Sequence, residues 1–234
     1  NFGLEEGCKG NGQSMLNVEN PCSIAQAIKQ DRISQPTYTS PLATIDPEAL
    51  KAFKTTYPDY DEQESEFPLW IDGVDTTYAP FIPTSTRRVL VALDMARISS
   101  SDRVLDVGSG DGRFCFAAVS FFNAQKAIGI EYEQDLVEKS TELAQGLVDQ
   151  GKVSFQRADL TNWRDLATMQ SKEWSIVIVF LSPEGGTDME DWLVEEFERG
   201  VRIVALVFDL KHLKGLHCSV ADDEEGIWIY SKEK

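Results

Sequence analysis

Asp106, Glu131 and Asp159 close three successive apolar runs, and the first runs straight into a glycine-rich turn, Gly108-Ser109-Gly110-Asp111-Gly112. A chain places glycine at alternate positions where its backbone must approach a ligand closely or turn through conformations closed to other residues. A phosphate-cradling loop needs G-x-x-x-x-G-K-[ST]; here Arg113 follows Gly112 and no Lys-Ser/Thr comes after it. A dinucleotide fingerprint needs a third small residue in G-x-G-x-x-G/A, and Arg113 occupies that position, which weakens the dinucleotide reading without removing it. The carboxylates carry the choice further. Asp106, inside the turn, would face a pyrophosphate at short range, at a Coulomb cost, but would complement the ammonium of an amino acid. Glu131 suits the paired hydroxyls of a ribose. Asp159 can accept from an adenine amino group. An amino-acid end, a ribose and an adenine, without phosphate, describe S-adenosylmethionine.

The elements that must position these groups follow from hydrophobic periodicity. Residues 84–97 read as an amphipathic helix capped by Thr84 or Ser85. Strands are expected at 103–107, 127–132, 153–157, 175–181 and 201–208. Helices are expected at 112–122, 134–149, near 163–169 and at 188–199. The strands are apolar on both faces, as in a parallel sheet covered by helices on both sides, and the alternation predicts a doubly wound α/β domain with right-handed crossovers. Residues 216–220 and 227–231, joined by the acidic turn ADDEEG, read as a terminal antiparallel hairpin. Residues 1–70 read as a separate, mostly helical and partly irregular appendage, and 71–234 as the main domain. Within the appendage, 23–32 has helical spacing, Asp46-Pro47-Glu48 starts a helix that runs to about Tyr57, and the acidic run 60–66 is a linker.

From Thr84 to Tyr230 these residues, and their order, resemble the class I, seven-β-strand, S-adenosylmethionine-dependent methyltransferases. The resemblance implies a Rossmann-like, doubly wound seven-stranded sheet of five parallel strands plus the C-terminal antiparallel hairpin, with S-adenosyl-L-methionine as cofactor. It places Asp106, Gly108, Ser109 and Gly110 under the methionine part, Glu131 at the ribose and Asp159 at the adenine, with Tyr132 and Leu160 flanking the ring. A narrower likeness rests on APFIPTST before the amphipathic helix, VGSGDGRF, IVFLSP and GIWIY. It points to the branch that includes the lysine methyltransferases of the ATP synthase c-subunit, in which the segment matching Phe81–Thr84 lies over the methionine end; Phe81 and Thr84 thereby join the expected cofactor set. The chain departs from that branch in its acidic rather than apolar residues ahead of the domain, and in having only 211–215 available for a helix between the fifth strand and the hairpin.

Methyltransferases acting on amide or exocyclic nitrogens often carry [DN]-P-P-[YF] after the fourth strand, a hydrogen-bonding clamp on a planar nitrogen. The matching stretch here is Phe180-Leu181-Ser182-Pro183, which argues against glutamine, adenine or cytosine as acceptor. A lysine amine needs deprotonation and in-line approach, so positioning and desolvation suffice, and aromatic walls with a few carboxylates suit it. Phe180, Asp209, Tyr78 and Trp70 are the candidate catalytic residues at the acceptor. The expected activity is methylation of a protein lysine. Two alternatives stay open: a small-molecule methyltransferase with the appendage as a lid, and a catalytically silent cofactor-binding partner protein, against which the intact acid and glycine set argues.

The composition sets outer limits. The formal net charge is −17, from 39 acidic and 22 basic residues. Such a field opposes nucleic acid, whose binding needs Lys and Arg on phosphates, and favours a basic, lysine-bearing protein partner. No apolar run approaches the roughly 18 residues of a membrane span. The cysteines (Cys8, Cys22, Cys115, Cys218) form no C-x-x-C, and His212 and His217 complete no zinc spacing, so no metal site is expected. The set reads as reduced and intracellular, cytoplasmic or nuclear, and the polar first twelve residues do not read as a secretory signal. Cys115 is expected to be a buried small hydrophobe.

Overall fold

The computed structural model describes residues 45–59, 83–159, 173–180 and 187–232. Trp70, Tyr78, Phe81 and Leu160 lie outside them, as do Cys8, Cys22, Ser182, Pro183 and the segments 23–32, 60–66 and 163–169. Residues 35–234 form one compact unit.

The described chain opens on α1 (Pro47–Thr56), which starts where the sequence predicts: the Asp46 carboxylate accepts from the Ala49 amide at 3.1 Å, and Pro47 fills the first turn. Next come α2 (Thr86–Met95), capped by Ser85, and β1 (Arg103–Val107), α3 (Arg113–Ser120) and β2 (Lys126–Glu131). The predicted helix 134–149 is two pieces, α4 (Gln134–Leu143) and α5 (Gln145–Asp149), hinged at Ala144, whose ψ of 16° leaves the helical range. Gly146, a poor helix former, sits just past the hinge, and the bend lets Leu147 and Val148 both reach the core. The chain continues through β3 (Val153–Arg157), β4 (Ile176–Val179), α6 (Thr187–Glu198) and β5 (Arg202–Leu206) to the hairpin β6 (Cys218–Asp222) and β7 (Ile227–Tyr230).

These strands make one seven-stranded sheet in the order β3-β2-β1-β4-β5-β7-β6. The first five are parallel and the hairpin is antiparallel, as the sequence predicts. Alternation along β1 sends Val104 to one core layer and Leu105 and Val107 to the other. The first layer holds α2, α3 and also α1, whose Phe53 packs against Phe116 and Phe121 with ring centroids 5.8 and 5.3 Å apart. From β1 the strand order runs one way to β2 and β3, and the other way to β4 and β5. The carboxyl edge between β1 and β4 is therefore the switch point, where open α/β sheets leave a crevice for a ligand.

Candidate active site

The glycine turn begins where β1 ends, on that crevice. The amides of Gly108 and Ser109 both donate to the Ile130 carbonyl at 2.9 Å, which ties the turn to the neighbouring strand. Gly112 opens α3 at φ 81°, and a Cβ built on it would stand 2.5 Å from the Phe155 ring. Only glycine meets both the left-handed backbone and the close approach of a β3 side chain.

Asp106 points to the α3 side of the sheet and is buried. Its Oδ2 has no hydrogen-bond partner among the described residues, and neither does the Oγ of buried Ser109. Burial, then the nearby charges of Glu131 and Asp111, push the Asp106 carboxyl up to about 8. Cys115 is buried as expected, and burial together with Asp106 raises its thiol well above the ordinary range, so it is not a reactive nucleophile. An orphaned carboxylate oxygen and an orphaned hydroxyl beside the turn are costly unless a ligand satisfies them. The pair fits the amino-acid end of S-adenosylmethionine.

Glu131 is also buried, and its oxygens are engaged: Oε2 accepts from the Gly110 amide at 2.8 Å, and Oε1 from the amides of Tyr132 (2.7 Å) and Glu133 (3.1 Å). Three of a carboxylate's roughly four acceptor positions are thus taken by backbone. Glu131 braces the turn against the end of β2, and ribose hydroxyls would share its oxygens with those amides. The exposed Tyr132 ring is held by Arg157 at the end of β3, whose Nε donates to the Tyr132 carbonyl at 3.1 Å and whose guanidinium lies 5.9 Å from the ring centroid. Asp159 is exposed just beyond β3, so the three acids stand on adjacent strand ends in the order β1, β2, β3.

Arg113, which the sequence shows only as a broken dinucleotide fingerprint, is buried in the site. It pairs bidentately with Asp111, Nε to Oδ1 at 2.9 Å and Nη2 to Oδ2 at 2.7 Å. It also donates to the carbonyls of Thr84 and, at 3.2 Å, Pro58. Thr84 is thereby fixed beside the turn by its backbone, with its side chain buried. The Asp59 carboxylate accepts from the Thr86 amide at 2.6 Å in the same knot. The Asp111-x-Arg113 spacing is the one signal of this clamp in the sequence.

Across the crevice, Phe180 follows β4 and is half-buried, with its ring against that of Phe208 at a centroid distance of 6.4 Å. Asp209 is half-buried after β5. Burial alone would raise its carboxyl, but hydrogen bonds from the Lys211 amide and ammonium, both at 3.0 Å, outweigh this and hold it below the usual range. It is an ion-paired carboxylate rather than a poised base. Phe208 was not among the candidates from sequence, because a Val-Phe pair extends an apolar strand in any reading by propensity.

The proteins this chain resembles are methyltransferases. The family model of the ANTKMT methyltransferase domain matches residues 106–217. A protein-lysine N-methyltransferase of Saccharolobus islandicus (strain REY15A) is 25% identical over 134 residues, 57% of this chain and 80% of that protein. The human lysine N-methyltransferase of the ATP synthase c-subunit is 28% identical over 151 residues, 64% of this chain; the match spans 60% of that relative's own length. Among solved structures, an RNA methyltransferase from Salinibacter ruber in complex with S-adenosyl-L-homocysteine aligns with a TM-score of 0.53 and 28% identity, over 64% of this chain and 91% of that one.

Proposed function

We propose that this chain, a class I S-adenosylmethionine-dependent methyltransferase, methylates the side-chain amine of a lysine in a protein. The cofactor, when bound, supplies a methyl group activated on a sulfonium. The chain's own part is to hold it: Asp106 and Ser109 at the amino-acid end, Glu131 at the ribose, Asp159 and the Arg157-braced Tyr132 at the adenine, with the turn fixed by Arg113 and Asp111.

The observation that carries the acceptor class is at Phe180. A planar nitrogen needs a hydrogen-bonding clamp at the carboxyl end of β4, and this position instead holds a half-buried aromatic ring packed on a second one. Apolar rings desolvate an amine and tolerate its cation. The names of the Saccharolobus and human relatives support the same reading. The net charge of −17 favours a basic polypeptide and opposes RNA, although the Salinibacter enzyme is named for an RNA substrate.

The test is incubation of the full chain with tritiated-methyl donor and a cell extract, followed by separation of protein, RNA and small molecules and acid hydrolysis of the protein. Label in methylated lysine is the expected result. Label confined to RNA, to small molecules or to other amino acids refutes the lysine assignment.

A further inference from the structure

β5 ends at Leu206 because the next residue leaves the strand conformation altogether: Val207 has a φ of 65°. The Phe208 amide donates back to the Leu206 carbonyl at 2.7 Å, which closes a γ-turn around Val207. This positive-φ form is rare and strained, and for a β-branched residue it is a true outlier. Strain of this kind persists only where the surroundings over-determine it, and it concentrates at functional sites. The surroundings here are specific. The Val207 amide donates to the Gly226 carbonyl at 2.8 Å, which ties the turn to the hairpin, and a Cβ on Gly226 would meet the Val207 Cα at 3.4 Å, an ordinary van der Waals contact.

The consequence of the turn is the direction of Phe208. Continued as a strand, residues 207 and 208 would extend the sheet edge. Turned, Phe208 brings its ring to Phe180, at an interplanar angle of 47°. Phe180 follows β4, the neighbour of β1 across the switch-point crevice. The acidic turn 223–226 lies at the same edge, since Ile227 pairs with Leu206. We propose that Phe208, aimed by the strained turn at Val207, forms with Phe180 the wall of the acceptor channel, and so determines which side chain can reach the crevice. The inference rests on the lysine reading for the identity of the acceptor, and on the turn geometry for the wall.

Two probes separate these layers: n-butylammonium, which reproduces the end of a lysine side chain, and n-butanol, its neutral analogue. Binding of each to the full chain saturated with S-adenosylhomocysteine is read by saturation-transfer NMR, with calorimetric affinity for S-adenosylhomocysteine and the melting temperature measured in parallel. In the wild type, n-butylammonium should bind at millimolar levels. Phe208→Ala should weaken it at least fivefold, and Phe208→Leu, which keeps bulk without a ring, should weaken it comparably at an unchanged melting temperature. Val207→Gly adopts the positive φ without strain and keeps both backbone hydrogen bonds of the turn, so it should hold n-butylammonium within twofold of the wild type at an equal or higher melting temperature; a loss of binding in Val207→Gly would mean that the turn does not aim the ring. Affinity for S-adenosylhomocysteine should stay within twofold throughout. If Phe208→Ala and Phe208→Leu bind n-butylammonium as the wild type does, or the wild type binds neither probe, the wall is refuted. If the wild type binds n-butanol but not n-butylammonium, and Phe208→Leu and Phe208→Ala weaken n-butanol, the wall stands and the lysine reading falls.

Discussion

With Asp106 at the cofactor's amino-acid end, as proposed above, cofactor binding should depend on pH, in a direction that follows from the burial of its carboxyl. Its carboxyl is pushed up to about 8, first by burial and then by the charges of Glu131 and Asp111. A ligand ammonium binds the ionised form, so binding must first drive the proton off. The apparent Kd then exceeds its limiting value by a factor of one plus the ratio of protonated to ionised carboxyl. That factor is about 100 at pH 6 and about 11 at pH 7, so affinity for S-adenosylmethionine should tighten roughly ninefold between pH 6 and 7. An α-amino group, with a pKa of about 7.7–8.0, stays mostly protonated over that window. At pH 7 about 0.9 proton should leave per cofactor bound, which calorimetry in two buffers of different ionisation enthalpy measures directly. The stability of the ligand-free chain carries the matching sign. A carboxyl raised in the folded state gives the native form the extra proton between the two pKa values, so its contribution is lost as pH rises from about 4 through about 8. Asp106→Asn should remove both dependences. An affinity that stays within twofold from pH 6 to 7, or a slope that survives in Asp106→Asn, refutes the assignment of the orphaned carboxylate to the cofactor.

Two further predictions concern the turn's supports. Arg113→Met leaves the buried Asp111 carboxylate without its bidentate partner. This should cost about 3–5 kcal/mol, or roughly 6–20 °C in melting temperature for a chain of this size; adding Asp111→Leu should restore most of it, and a single-variant loss under about 1 kcal/mol in urea titration would show that the pair is not the clamp described. A Cβ at Gly129, in mid-β2, would stand 2.5 Å from the Phe155 ring and 2.6 Å from the Ser109 hydroxyl. Gly129→Ala should therefore destabilise by about 1–3 kcal/mol through overpacking and weaken cofactor binding, while Phe155→Leu in the same chain relieves the stability loss; an unperturbed melting temperature in Gly129→Ala contradicts this packing.

What could be read from the sequence divides along physical lines. β1 and β3 fall on their expected residues because each is a short apolar run bounded by turn formers, and α1 starts at Asp46-Pro47 because capping is a local interaction. The same locality exposes Asp106, Glu131 and Asp159, whose meaning lies in their positions at successive strand ends. Arg113 was legible only as a departure, because the carbonyls it holds belong to Thr84 and Pro58, 29 and 55 residues away. Val207 and Phe208 were hidden by their own propensities: residues that favour strands occupy a turn that only the hairpin, through Gly226, can enforce. The bracing of Glu131 by three backbone amides likewise depends on how two loops meet, which no spacing records.

The position that breaks the dinucleotide fingerprint also explains why the turn suits a ligand without phosphate. A third small residue at 113 would let the helix pack closely on the strand, as in dinucleotide-binding turns. Arg113 fills that place with a buried guanidinium engaged by Asp111 and by the carbonyls of Thr84 and Pro58. Its charge is spent on Asp111, so it does not neutralise Asp106, and Glu131 adds a second acid beside the turn. The local field is negative in spite of the α3 N-terminus. Such a field repels phosphate and draws the amino-acid ammonium and the sulfonium of S-adenosylmethionine. The same pairing gives the strongest internal check on the site: Arg113→Met removes the positive charge that offsets Asp111, whose carboxylate already raises Asp106. In any such variant that stays folded, the pH midpoint for cofactor binding should move upward from its wild-type position near 8, whereas a midpoint that stays put would mean that the guanidinium and Asp106 do not share one electrostatic site.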